Sequence, residues 1–158
     1  MASVEEEIGK LLREKGLTLG AVESATGGLI SHRITNVAGS SDYYKGSVTA
    51  YSNEAKIKIV GVPEELIQRY GAVSFQVAEA MARGGRKLLN VDICIADTGI
   101  AGPTGETPGK PVGLFYLGLS HENGTFSRKH IFQGDRLQNK EQAAETALAW
   151  LREFLQSL

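Results

Sequence analysis

The stretch Gly39-Ser40-Ser41-Asp42-Tyr43-Tyr44-Lys45-Gly46-Ser47-Val48-Thr49-Ala50-Tyr51-Ser52-Asn53-Glu54-Ala55-Lys56 carries the signals that decide the architecture. A turn-like Gly-Ser-Ser leads into Ser47-Val48-Thr49-Ala50-Tyr51, whose β-branched and aromatic residues favour a strand. Asn53 then has the place and side chain of an N-cap, opening a helix that carries Lys56. A strand passing at once into a helix is the repeating unit of an α/β domain, and the same alternation extends in both directions.

The stretch also holds a hydroxyl, a phenol and an amine within a short reach. Lys56 falls in a first helical turn, where the positive end of the helix dipole disfavours a second positive charge and eases loss of its proton. A neutral lysine is a general base. Beside a serine hydroxyl, with Tyr51 to orient or relay the proton, it meets the minimum for Ser-Lys nucleophilic catalysis. The same spacing also fits a capping serine, a solvated lysine and a packed strand tyrosine.

Upstream, Ser3 and Glu6 form a capping box for an amphipathic helix with Val4, Ile8, Leu11 and Leu12 on one face, stopped by Gly16. Leu17 to Val22 reads as a short strand ending at Glu23-Ser24-Ala25-Thr26-Gly27-Gly28. A second helix follows, with Leu29, Ile30, Arg33, Ile34 and Val37 in helical period. A strand feeding a Gly-Gly helix start is either an anion cradle or a site of close packing with Ser24 or Thr26 as N-cap. It is neither a Walker loop nor a dinucleotide fingerprint.

Downstream, Pro63 opens a helix through Tyr70, and Ser74 caps a longer one whose buried face includes Val77, Ala80, Met81, Leu88 and Leu89. Asp92 to Asp97 is a strand running into Thr98-Gly99-Ile100-Ala101-Gly102-Pro103, the start of a long loop dense in glycine and proline. Thr98 and Gly99 sit at a strand end, where the crevice of an open α/β sheet forms, and the N–H groups around Gly99 to Gly102 suit an anion nest or oxyanion hole. Val112 to Leu119 and Thr125 to Phe132 read as a hairpin turning at Glu122-Asn123-Gly124, which makes the sheet mixed. Gly134-Asp135-Arg136 is a polar turn before a last helix, with Arg136 suited to grip a phosphate or carboxylate.

At 158 residues the chain suits a single domain over residues 1–158. A formal net charge of -1, with no basic block, disfavours nucleic acid as a partner. The apolar runs are too short for a membrane span and the N-terminus is acidic, so a cytoplasmic location is expected. Cys94 is the only cysteine and lies in a strand-like run, as a packing residue. His32, His121 and His130 lack metal-ligand spacing.

Taken together and in order, Glu23 to Gly28, Gly39-Ser40-Ser41, Tyr51 to Lys56, Gly71-Ala72-Val73-Ser74, Thr98 to Pro103, Lys110-Pro111-Val112-Gly113 and Gly134-Asp135-Arg136 closely resemble the CinA C-terminal domain family. Its enzymatic members are nicotinamide-mononucleotide amidohydrolases. The resemblance implies hydrolysis of the carboxamide of nicotinamide mononucleotide (NMN) to nicotinate mononucleotide and ammonia in pyridine nucleotide recycling. No metal or organic cofactor is implied, and a homodimer is.

The family's serine, tyrosine and lysine carry over to Ser41, Tyr51 and Lys56 as the catalytic set, with Ser24 and Ser40 standing in similar motifs. Substrate contacts are expected from Glu23, Ser24, Thr26, Gly27, Gly28, Asn53, Thr98, Gly99, Ala101, Gly102 and Arg136, the Thr26-Gly27-Gly28 helix start taking the phosphate. Thr98 stands where relatives often have serine, and Gly105-Glu106 where they often have a glycine pair. A non-catalytic nucleotide- or partner-binding module of the same fold, and an amidase for another pyridine or pterin amide, are the competing readings. The expected fold is a three-layer α/β domain, a mixed sheet flanked by helices.

Overall fold

In the computed structural model, which describes residues 1–158, strands β1 (Leu19–Glu23), β2 (Tyr44–Thr49), β3 (Ile93–Gly99), β4 (Leu114–His121) and β5 (Gly124–Ile131) form one mixed sheet. The order is β2-β1-β3-β4-β5, with β1 parallel to both its neighbours and β4 and β5 added antiparallel. Six helices cover it: α1 (Val4–Lys15), α2 (Leu29–Thr35), α3 (Asn53–Lys58), α4 (Glu64–Tyr70), α5 (Phe75–Leu89) and α6 (Arg136–Ser157).

Alternate strand residues feed two cores. Ile93 and Ile95 of β3, with Leu117 and Leu119 of β4, pack under α1, α2 and α6. Cys94 and Ala96 point the other way, to Val77, Met81 and Ala82 of α5. Both faces of the central strands are therefore buried, as expected when helices lie on each side of a largely parallel sheet. No helix is long and apolar enough to cross a membrane.

Local signals set most boundaries. The Ser3–Glu6 capping box opens α1, and Gly16, in the left-handed conformation, closes it. Ser74 caps α5 through the Val77 N–H. The strand expected over Ser47 to Tyr51 runs from Tyr44 to Thr49, those expected from Leu17 and Val112 begin at Leu19 and Leu114, and two helix starts differ from expectation. Ser52, not Asn53, caps α3 by accepting from the Ala55 N–H, and Asn53 is the first helical residue. Arg136 is already inside α6, because Asp135 and Gln138 form a second capping box.

Gly118 lets α5 lie close on β4. A Cβ there would strike the Ala78 carbonyl oxygen and come 2.8 Å from its carbon. Gly118→Ala is expected to cost about 1–3 kcal/mol by overpacking, read as a lower urea midpoint with an unchanged m-value. An unmoved midpoint would mean that α5 can step away without loss.

Candidate active site

The chain leaves β1 through α2 on one face of the sheet and reaches β3 through α5 on the other. The crevice beyond the carboxyl ends of β1 and β3 is thus a topological switch point, where open α/β sheets bind ligands. A cavity of about 290 Å³ lies there, lined by Ser24 after β1, Lys56 of α3, and Thr98 and Gly99 at the end of β3. It is at the small end of ligand clefts.

Lys56 is the largest fully buried side chain, with 2% of its surface exposed. Its Nζ lies 2.9 Å from Ser24 Oγ and 3.0 Å from each of the Ala50 and Tyr51 carbonyl oxygens. Burial lowers the lysine's pKa, and the nearby Asp97 opposes that shift. Carbonyls only accept. A neutral amine has two N–H bonds to give them, so its lone pair is left facing the Ser24 hydroxyl. The geometry is that of a nucleophile and its base.

Two buried carboxylates hold the turn that presents Ser24. Asp97 of β3 accepts from the Ser24 N–H at 3.2 Å and the Thr26 N–H at 3.1 Å, and its Oδ2 contacts Thr26 Oγ1. Glu23 accepts from the Gly28, Ile30 and Ser31 N–H groups at 2.9–3.1 Å, and from Thr26 Oγ1 at 2.6 Å. Burial, reinforced by the charge of Glu23, pushes the Asp97 carboxyl up to about 6. The Ala25 and Ala101 N–H groups make no hydrogen bond within the chain, and both residues line the cavity.

At the mouth, Arg136 of α6 donates to the Gly102 carbonyl at 2.7 Å and to the Tyr51 phenol oxygen at 3.3 Å. Buried Asn139, one turn on, donates to the Ala101 carbonyl at 3.0 Å and accepts from the Gly134 N–H. The start of α6 therefore clamps the 101–102 segment over the crevice.

The CinA C-terminal domain model matches residues 1–155. The chain belongs to the CinA C-terminal domain family. It is 48% identical over 153 residues to a CinA-like protein of Salinibacter ruber, covering 97% of this chain and 37% of that protein. It is 50% identical over 153 residues to one of Citrifermentans bemidjiense, covering 96% and 37%. The chain thus spans about 37% of the length of these relatives. Among solved structures, a competence-damaged protein (CinA) superfamily protein from Klebsiella pneumoniae matches with a TM-score of 0.95 at 29% identity, covering 98% of this chain and 97% of that one. A competence/damage inducible protein from Agrobacterium tumefaciens matches with a TM-score of 0.88 at 34% identity, covering 96% and 94%.

In this CinA domain the sequence-derived site residues divide clearly. Lys56, Ser24, Asn53, Tyr51, Thr98, Gly99, Ala101 and Arg136 all line the cavity. Ser41 does not. It is exposed in a single 3-10 turn, Ser40–Asp42, that precedes β2, whereas Lys56 lies beyond the other end of that strand. The strand between them is six residues long, about 17–20 Å. The turn is tied instead to α1, where Arg13 binds the Asp42 carboxylate and the Gly39 carbonyl. Ser24 occupies the position beside the lysine that Ser41 was expected to fill.

Further roles change. The N–H groups at the start of α2 are occupied by Glu23, so the Thr26-Gly27-Gly28 cradle holds the chain's own carboxylate; Glu23 and Thr26 are fully buried. Gly27 and Gly28 lie outside the Ser24–Lys56 cavity. Tyr51 orients Lys56 through its main-chain carbonyl, while its phenol, on a side chain 63% exposed, meets Arg136. Burial, rather than the helix dipole expected from sequence, is what leads the lowering at Lys56. The Thr98 hydroxyl donates to the Ala72 carbonyl and pins the entry to α5, and Gly102 offers Arg136 its carbonyl. Asp97 and Asn139 were missed, although an acidic residue at the end of an apolar strand run was a signal for the first.

Proposed function

We propose that this domain hydrolyses the carboxamide of nicotinamide mononucleotide to nicotinate mononucleotide and ammonia, with Ser24 as nucleophile and Lys56 as its base. The observation that carries the reading is the 2.9 Å contact between Ser24 Oγ and a buried lysine whose pKa is lowered. The choice of substrate rests on the likeness to the amidohydrolase members of the family.

Ser24 Oγ bonds to the carboxamide carbon as its proton passes to Lys56 Nζ, giving a tetrahedral adduct. The free N–H groups of Ala25 and Ala101 are the candidates to hold its oxyanion. The C–N bond then breaks, Lys56 returns the proton to the leaving nitrogen, and ammonia departs. Water, deprotonated by the same amine, cleaves the Ser24 ester to release the carboxylic acid and restore the hydroxyl. Arg136, exposed at the mouth, is the cation for the phosphate end.

Ammonia release with NMN as sole substrate tests the reading; ammonia is expected to equal NMN consumed. NMN bound without release would favour the non-catalytic module, and faster release from another amide would replace the substrate. Arg136→Ala is expected to raise KM for NMN about 10-fold or more, the worth of a charge-assisted hydrogen bond. Its kcat/KM for nicotinamide riboside, which lacks the phosphate, should fall much less, by no more than loss of the Gly102 bond costs the 101–102 segment. An equal loss on both substrates would move the phosphate away from Arg136.

A further inference from the structure

Thr26 Oγ1 lies within hydrogen-bond reach of two carboxylates, Glu23 Oε1 at 2.6 Å and Asp97 Oδ2. Thr26 has one hydroxyl proton, and it can be given to only one of them. Two ionised acids on one hydroxyl would leave a pair of acceptors in contact with no proton between them, in a place where all three side chains are buried. One of the acids must supply the second proton.

Glu23 is the poorer carrier. Backbone N–H groups from Gly28, Ile30 and Ser31 converge on its oxygens, so a proton there would face donors. Asp97 receives two such groups, the Ser24 N–H on Oδ2 and the Thr26 N–H on Oδ1, against three on Glu23, and its Oδ2 has Thr26 Oγ1 as a ready acceptor. We propose that Glu23 and Asp97 share one proton through the Thr26 hydroxyl, carried as Asp97 Oδ2–H donating to Thr26 Oγ1, which donates in turn to Glu23, and that this neutral acid positions Ser24 while keeping negative charge away from Lys56. Asp97 is thus a positioning residue, acting through the turn it binds and through the charge it lacks.

The surroundings agree. The charged groups acting on Asp97 are Glu23 from β1 and Lys56 from α3. β4 sets apolar Leu117 opposite it, and the buried faces of α5 and α6 contain no titratable side chain. Burial and Glu23 both raise Asp97, while the Thr26 hydroxyl would restrain that rise only by giving Asp97 the proton it gives Glu23. With Asp97 neutral, the influence that props up the Lys56 pKa disappears, and the amine is freer to act as base.

The role in turnover rests on the proposed amidohydrolase reading; the proton's location does not. Infrared spectra of the wild-type protein with carbon-13-labelled aspartate, taken at about pH 5, below the raised Asp97 value of about 6 and above that of an ordinary aspartate, should show the carbonyl band of a buried carboxylic acid that shifts with the label. Its absence would overturn the proposal. In turnover, Asp97→Asn is expected to lower kcat, because the amide gives the Ser24 N–H a poorer partner, while the pH at which the rate rises stays within about 0.3 unit of wild type. A fall of that midpoint by about one unit or more would mean that Asp97 is charged in the wild type, and would overturn the proposal. A wild-type protein that shows the band but releases no ammonia would sink the amidohydrolase reading and leave the shared proton standing.

Discussion

Ser24→Ala is expected to lower kcat for carboxamide hydrolysis by at least about four orders of magnitude, the scale on which loss of a catalytic nucleophile is felt. Folding should survive. The hydroxyl's partner is Lys56, and the bond from the Ser24 N–H to Asp97 remains in the variant. The stability cost is that of one hydrogen bond, about 1 kcal/mol. NMN binding, measured by calorimetry, should persist. Ser41→Ala is the paired measurement, since its hydroxyl lies exposed beyond the far end of β2 and its loss should leave kcat unchanged. Inactivity of Ser41→Ala with an active Ser24→Ala would reverse the assignment.

Lys56→Met should reduce kcat by about 10²–10⁴, the usual worth of a general base, and should also change the shape of the pH profile. In the wild type the rate is expected to climb as Lys56 loses its proton, at a pH below that of an ordinary lysine because burial lowers it. The variant should lack that limb. An unchanged profile would remove Lys56 as base. Stability carries an independent signature. A lysine whose pKa is lower in the folded than in the unfolded chain penalises folding most where both forms are protonated, and the penalty lifts as pH rises toward the unfolded value of 10.5. The difference in unfolding free energy between wild type and variant should therefore drift in favour of the wild type as pH rises from about 7 to 10.

Much of the fold was legible because its signals are local. The Ser3–Glu6 box, the Ser74 cap and the strand-to-helix passage at Tyr51 each involve neighbours in the chain. The site was half legible for the same reason. Lys56, Tyr51 and Ser24 stand out by type and setting, whereas Ser41, taken as nucleophile from the resemblance, is near Lys56 in sequence and not in space. Ser24 and Lys56 are separated by a whole α2–β2 crossover, yet β1 and β2 are parallel and in register from Gly20 to Glu23, so the residues leaving both strands emerge at one edge. A serine ahead of β2 emerges at the other edge. The rule that parallel strands gather ligands at their carboxyl ends already contained this answer.

The occupied cradle was beyond sequence reach. Glycines before a helix invite an anion, and whether the anion is a ligand's or the chain's own depends on the direction of one side chain at a strand end. Glu23 turns inward, where a fully buried carboxylate needs several donors, and the start of α2 supplies them.

Lys56 is gripped by the carbonyls of Ala50 and Tyr51, which belong to the main chain. Exchanging the side chain at position 51 leaves its carbonyl in place, so variation there has no direct hold on the base. The Tyr51 phenol, exposed and in touch with Arg136, is by contrast open to change. One residue thus holds the amine with its backbone and presents its side chain at the mouth of the cavity. An exchange of that ring alters the mouth while the amine stays where the main chain holds it.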